Sequence, residues 1–112
     1  MIRIYEGYPY GSPILTRVGS RVFEGVSTAG APLYTIQGNA LYEGMSVSGR
    51  PLARLSGSLI HGGIQISGYP EGTIVDGMVF KGSAVSGTPV VSADSEDPGA
   101  LMAGYYYLMA GW

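Results

Sequence analysis

Cysteine is absent, so disulfides and thiolate metal sites are excluded, and the chain is compatible with either redox compartment. Charge is scarce: Lys, Arg, Asp and Glu make up 12% of the residues, against roughly 25% in ordinary domains. Six basic residues scattered along a chain of net charge −2 form no footprint for nucleic acid or an anionic membrane. One histidine without cysteine gives no metal-ligand cluster, and no metal or other cofactor is expected. The phosphate-binding signatures G-x-G-x-x-G and Gly-Lys-Ser are missing, as is a Gly-x-Ser-x-Gly elbow. Long apolar runs are missing too, since the tail at 100–112 falls about seven residues short of a membrane-spanning helix. The start, Met1-Ile2-Arg3-Ile4, enters the repeats described below without the charged and apolar regions of a signal peptide. These absences together lead us to expect a soluble, non-enzymatic chain.

Glycine and internal repetition are what the sequence has in plenty. Aromatic-type rings stand at Tyr5, Phe23, Tyr42, His61 and Phe80, with glycine two residues later at Gly7, Gly25, Gly44, Gly63 and Gly82. A second glycine column, Gly11, Gly30, Gly49, Gly68 and Gly87, is followed two residues on by Pro13, Pro32, Pro51, Pro70 and Pro89. The period is nineteen residues, with the first unit one residue short, giving units near 4–21, 22–40, 41–59, 60–78 and 79–97. Self-similarity at this length is the mark of a repeat architecture. It makes 1–97 a five-unit β domain, followed by a Tyr-rich apolar segment at 98–112 that reads as a final strand or an anchor.

Within one unit, Leu41, Glu43 and Met45 share one face of an extended strand while Tyr42 and Gly44 share the other. Bare glycine in a strand suggests a neighbouring ring lying over it. Ser46-Val47-Ser48-Gly49-Arg50 reads as a turn with Gly49 at positive φ, and Leu52-Ala53-Arg54-Leu55 as a second strand closed by Ser56-Gly57-Ser58. No segment carries a helical period long enough to outweigh its glycines and prolines.

Two architectures fit: tandem antiparallel hairpins with up to ten short strands, or a parallel β-solenoid with one unit per coil. The glutamate column Glu6, Glu24 and Glu43 favours hairpins, because a solenoid would stack like charges about 4.8 Å apart whereas a hairpin array sets a strand between them. The Tyr-x-Gly opening with glycine seven residues after the ring, as in Tyr42-Glu43-Gly44 and Gly49, resembles the start of the MORN hairpin repeat. The likeness covers the front half of each unit. The later paired glycines of that family are replaced here by Ala53 and Leu55, and the period is shorter. The resemblance implies hairpins and carries over no functional residues.

The later units diverge, as capping repeats do: His61 replaces tyrosine, Lys81 stands in the glutamate column, and Asp94-Ser95-Glu96-Asp97 reads as a solvated linker. His61 lies in the ring column and reads as an aromatic substitute rather than a catalyst. Nine tyrosines could stack on sugars, but one Asn, two Gln and one Trp supply few groups to fix sugar hydroxyls. A single layer of hairpins would leave an apolar face uncovered, which association with identical or other subunits could bury. The sequence therefore points to a structural or interaction protein within a multi-subunit assembly such as a virion surface or tail fibre. Its candidate interface is Tyr105, Tyr106, Tyr107, Leu108, Met109 and Trp112; a carbohydrate-binding module is the alternative.

Overall fold

A computed structural model describes residues 1–45, 47, 49–62, 70–83, 85 and 87–109. The expectations for Ser46, Ser48, Gly63, Gly68 and Trp112 lie outside the described residues. Ten short strands form one antiparallel sheet: β1 (Ile2–Glu6), β2 (Leu15–Val18), β3 (Arg21–Glu24), β4 (Tyr34–Gln37), β5 (Ala40–Glu43), β6 (Ala53–Ser56), β7 (Leu59–Gly62), β8 (Gly72–Val75), β9 (Met78–Lys81) and β10 (Val91–Ala93). The all-β expectation of short antiparallel strands holds, and the parallel solenoid is not adopted. Each strand pairs with its neighbours in sequence, and β10 also pairs with β1 through Ile4↔Ala93, Tyr5↔Ser92 and Glu6↔Val91, so the sheet closes into a barrel. The ring has no ends, so the divergent first and last units close on each other instead of capping an array.

Two kinds of connection alternate. Tight turns Gly19-Ser20, Gly38-Asn39, Gly57-Ser58 and Asp76-Gly77 join strands at one rim, which we term the turn end. Asp76 and Gly77 both have positive φ, as a type I′ hairpin requires. Longer connections link β1 to β2, β3 to β4, β5 to β6, β7 to β8 and β9 to β10 at the opposite rim, the looped end. Gly25 and Gly44, just beyond their strands, have φ of 69° and 68° with nothing within 4 Å of an added Cβ. They serve the backbone turn, and no ring covers them as the sequence suggested.

Alternation along the strands sorts side chains into lumen and outer wall. Ile4, Leu41 and Ile60, with their counterparts Val22 and Val79, point inward and are fully buried. The ring column therefore lies on the outer wall, where Phe23, Tyr42, Phe80 and Tyr5 stand opposite Thr16, Thr35, Thr73 and Ser92. Each hydroxyl donates to the carbonyl of the glycine two residues after its ring: Thr16 to Gly25, Thr35 to Gly44 and Thr73 to Gly82, each at 2.7 Å, and Ser92 to Gly7. The ring-x-glycine motif and a hydroxyl column thus form one device that pins four of the five long loops to the neighbouring strand. Arg3 and Arg21 extend it, donating to Thr16 and Thr35 at 2.6 Å and to the loop carbonyls of Val26 and Met45. In the third unit Arg54 takes the hydroxyl position opposite Ala40.

Thr35→Val keeps the shape but strands the Gly44 carbonyl and one Arg21 donor. Because Thr35 is buried, we expect a loss of about 1–3 kcal/mol in urea unfolding. An unchanged midpoint would show that the loop is held by other means.

The tail corrects the sequence reading. Pro98–Leu108 is an α-helix, α1, and not the final strand that was one of the two expectations there. Pro98 occupies the first turn, where its missing N–H costs nothing. The Asp97 carboxylate caps the helix by accepting from the N–H groups of Gly99 and Ala100 at 3.0 and 3.4 Å. Asp97 also receives Arg17 Nη1 at 2.7 and 2.8 Å, and Asp94 accepts from the Arg3 backbone N–H, so the acidic run is built into the fold rather than a free linker.

The helix enters at the turn end and fills the lumen. It packs against β1, β5, β6, β8, β9 and β10, and Ala100, Leu101, Met102 and Ala103 are fully buried. A ten-stranded barrel is wider than the eight-stranded size that side chains alone can fill. An eleven-residue helix, about 16 Å long by the usual rise, suits a body measuring 36 × 34 × 22 Å. Enclosure on every side explains why the helix is apolar all round. It also removes the uncovered sheet face from which the sequence reading inferred association.

Candidate functional site

The looped end brings helix, strand termini and long connections together. On the inward-facing parity of the ring strands, the position at the mouth is held by Glu6, Glu24, Glu43, Gly62 and Lys81 in turn. Three successive ring strands therefore carry carboxylates, with Leu15 on β2 between Glu6 and Glu24 and Tyr34 on β4 between Glu24 and Glu43. Tyr34 is paired directly with Glu43 across the ladder.

Helix α1 delivers three tyrosines to this mouth. Tyr105 is 1% exposed and its hydroxyl donates to the Glu71 carbonyl at 2.5 Å. Its ring passes beside Gly72, where a Cβ would lie 3.4 Å from Tyr105 Cε1. The inward residues of the second strands, Leu15, Tyr34, Ala53, Gly72 and Val91, thus vary in size around an off-centre ring. Tyr106 meets Tyr34 edge to face, with ring centroids 5.9 Å apart at 90°. Tyr107 donates its hydroxyl to Glu24 Oε2 at 2.7 Å.

This crowding is electrostatically one-sided. Burial, followed by Tyr106, Tyr107, Glu43 and Glu24, pushes the Tyr34 phenol up to about 12. The hydrogen bond to Glu24 raises Tyr107, and burial aided by Glu71 raises Tyr105. The last turn of α1 contains no basic residue to offset the negative pole of the helix.

Because its folded pKa is raised, Tyr34 favours the fold while protonated. That contribution is complete below the ordinary phenol value near 10 and is lost as pH climbs through about 12. We expect stability to decline over this alkaline window, and Tyr34→Phe to flatten the decline and delete the latest step in the tyrosinate absorbance titration. A titration unaltered by the substitution would place the late phenol elsewhere.

The predicted site residues are dispersed. The ring column is a wall feature: His61 and Phe80 are buried, while Tyr5, Phe23 and Tyr42 are half-buried. Of the candidate interface, Tyr105 belongs to the chain's own core, and Tyr106, Tyr107, Leu108 and Met109 are half-buried against it. Tyr34, which the sequence reading missed, is signalled by its alternation with inward-facing Ile36. Among the described residues, no three His, Asp or Glu side chains converge as a metal would need, and no helix is long and apolar enough to cross a membrane.

Large exposed apolar residues are also concentrated at this end. Tyr8, Tyr10, Val26, Met45, Val47 and Val85 all belong to long loops, and Met1 and Val18 lie at the turn end. No family model, curated protein or solved structure matches this chain.

Proposed function

We propose that this chain is a structural and interaction protein, a small repeat-built subunit of a multi-subunit assembly such as a virion surface or fibre. One observation carries the reading: the barrel fills its own core, yet sets apolar side chains in solvent at corresponding places in its long loops. Val26 and Met45 follow their loop glycines directly, and Val47 and Val85 stand three residues after theirs. Exposure that core packing does not require, concentrated at one end of a rigid body, favours contact with another protein. The barrel supplies rigidity and the loops supply the surface.

Light scattering or mass photometry of the purified chain, alone and with material from its native source, tests this reading. Stoichiometric association through the looped end supports it. A monomer at micromolar concentration from which no partner is recovered overturns it.

A further inference from the structure

The outer wall repeats one row of three side chains across neighbouring strands. In the first two rows an arginine, a threonine and a ring stand side by side: Arg3, Thr16 and Phe23, then Arg21, Thr35 and Tyr42. The last two rows, Leu59, Thr73 and Phe80 and then Met78, Ser92 and Tyr5, keep the hydroxyl and the ring without the arginine. The third row breaks the pattern. Ala40 stands in the place of the arginine, Arg54 in the place of the hydroxyl and His61 in the place of the ring.

This exchange changes what the guanidinium can bind. Arg3 and Arg21 direct Nη1 to a hydroxyl and a loop carbonyl. Arg54 has no hydroxyl beside it in its row, and among the described residues its side chain makes no hydrogen bond or ion pair. Its Nε is buried without an acceptor. A buried charged donor that finds no acceptor in its own chain calls for one from outside it.

His61 is a second observation pointing the same way. It is 5% exposed, brings N–H chemistry to a column otherwise made of Tyr and Phe, and forms no side-chain hydrogen bond among the described residues. Direct pairing across the ladder sets it beside Arg54, with Cβ atoms about 4.5–5.5 Å apart. The outward residues of β5, β6 and β7 are Ala40, Tyr42, Arg54, Ser56, Leu59 and His61, and none is a carboxylate.

We propose that Arg54 and His61 form an oxyanion site on the outer wall, which takes a phosphate or carboxylate group. A guanidinium presents its donors along a planar edge whose spacing matches two oxygens of one such group. A tetrahedral phosphate keeps a further oxygen for His61, so phosphate is the better fit. Arg54 as a whole is partly exposed, so the site can fill from solvent. It does not depend on the looped end being a contact surface.

The test follows amide and arginine side-chain NMR signals of the full-length chain during titration with inorganic phosphate, sodium acetate or sodium chloride at matched ionic strength. Phosphate should shift the Arg54 Nε–H signal and the amides of Ala40, Arg54 and His61, with acetate weaker and chloride silent. Arg54→Lys should weaken phosphate binding roughly tenfold, because it keeps the charge and loses the planar edge. Arg54→Gln should abolish it, whereas Arg50→Gln, at an exposed loop position, should leave it unchanged. His61→Phe restores the ring of the other rows and so tests the site without disturbing Arg54; it should remove the preference for phosphate over acetate. A stronger response to acetate than to phosphate keeps the site and assigns it to carboxylates. No shift at Arg54 with either oxyanion, or an equal shift with chloride, overturns the proposal.

Discussion

A chain ended after Asp97 is expected to lose its cooperative unfolding transition. Every ladder hydrogen bond of the barrel would still be available to it. What disappears is the filling: Ala100, Leu101, Met102, Ala103 and Tyr105 are at most 1% exposed, and the inward Ile4, Leu41 and Ile60 would face a void or water in their place. Fully burying one large aliphatic side chain is worth about 1.5–3 kcal/mol, and total stability in a domain of this size is about 5–15 kcal/mol. Removing several such contacts at once is comparable to that margin. Leu101→Ala grades the same effect, with a loss of about 2–5 kcal/mol expected for a fully buried leucine. Circular dichroism with urea or thermal unfolding reads both. A truncated chain that still melted sharply would show that the closed sheet holds itself, and that α1 is an accessory.

That dependence explains which parts of the fold the sequence discloses. The nineteen-residue period exposes the strands because each unit repeats one inward aliphatic, and Leu41, Glu43 and the opposed Tyr42 can be assigned to faces by alternation alone. The φ of +82° at Gly49 likewise follows from turn chemistry that is local. Closure is not local. The pairing of Glu6 with Val91 joins residues at opposite ends of the domain, and nothing in either strand distinguishes a sheet that ends from one that meets itself.

The helix is hidden for a related reason. A helix surrounded on all sides has no polar face and therefore no amphipathic period. Gly99 and Gly104 also lower its intrinsic propensity by about 1 kcal/mol each. Its start signals, Asp97 as cap and Pro98 in the first turn, lie within an acidic run that resembles a linker. The hydroxyl column was open to the same periodic reading as the rings, because Thr16, Thr35, Thr73 and Ser92 keep the nineteen-residue step with Arg54 between them. Its significance needed the opposite strand: only pairing sets Thr35 against Tyr42 and brings its hydroxyl 2.7 Å from the Gly44 carbonyl. The acidic arc is half-legible in the same way. Glu24 and Glu43 stand in the sequence as a column, while Tyr106 and Tyr107 reach them only because the helix threads the lumen.

Gly104→Val should be among the most damaging single substitutions in the chain, and the reason is geometric. A Cβ at this position would lie 2.6 Å from Ile4 Cγ2 and 2.7 Å from Val91 Cγ2, nearer than real side chains approach. Ile4 and Val91 are fully buried, so neither can swing into solvent. They also belong to β1 and β10, the two strands whose pairing closes the ring. Relief must come from shifting α1 off axis, which compresses Tyr105 against Gly72, or from parting the seam itself. Alanine already incurs the contact, and its gain of about 1 kcal/mol in helix propensity is outweighed by the usual overpacking cost of about 1–3 kcal/mol. Valine adds two further methyl groups against the same wall, so its cost should exceed that range and lower the melting temperature by more than about 10 °C. Gly62→Ala is the matched control, because its Cβ meets nothing within 4 Å and its φ is not positive; it should stay within about 0.5 kcal/mol of the parent. If Gly104→Val melted with that control, the helix could not be seated against the seam, and the account of how the ring is closed and filled would be wrong.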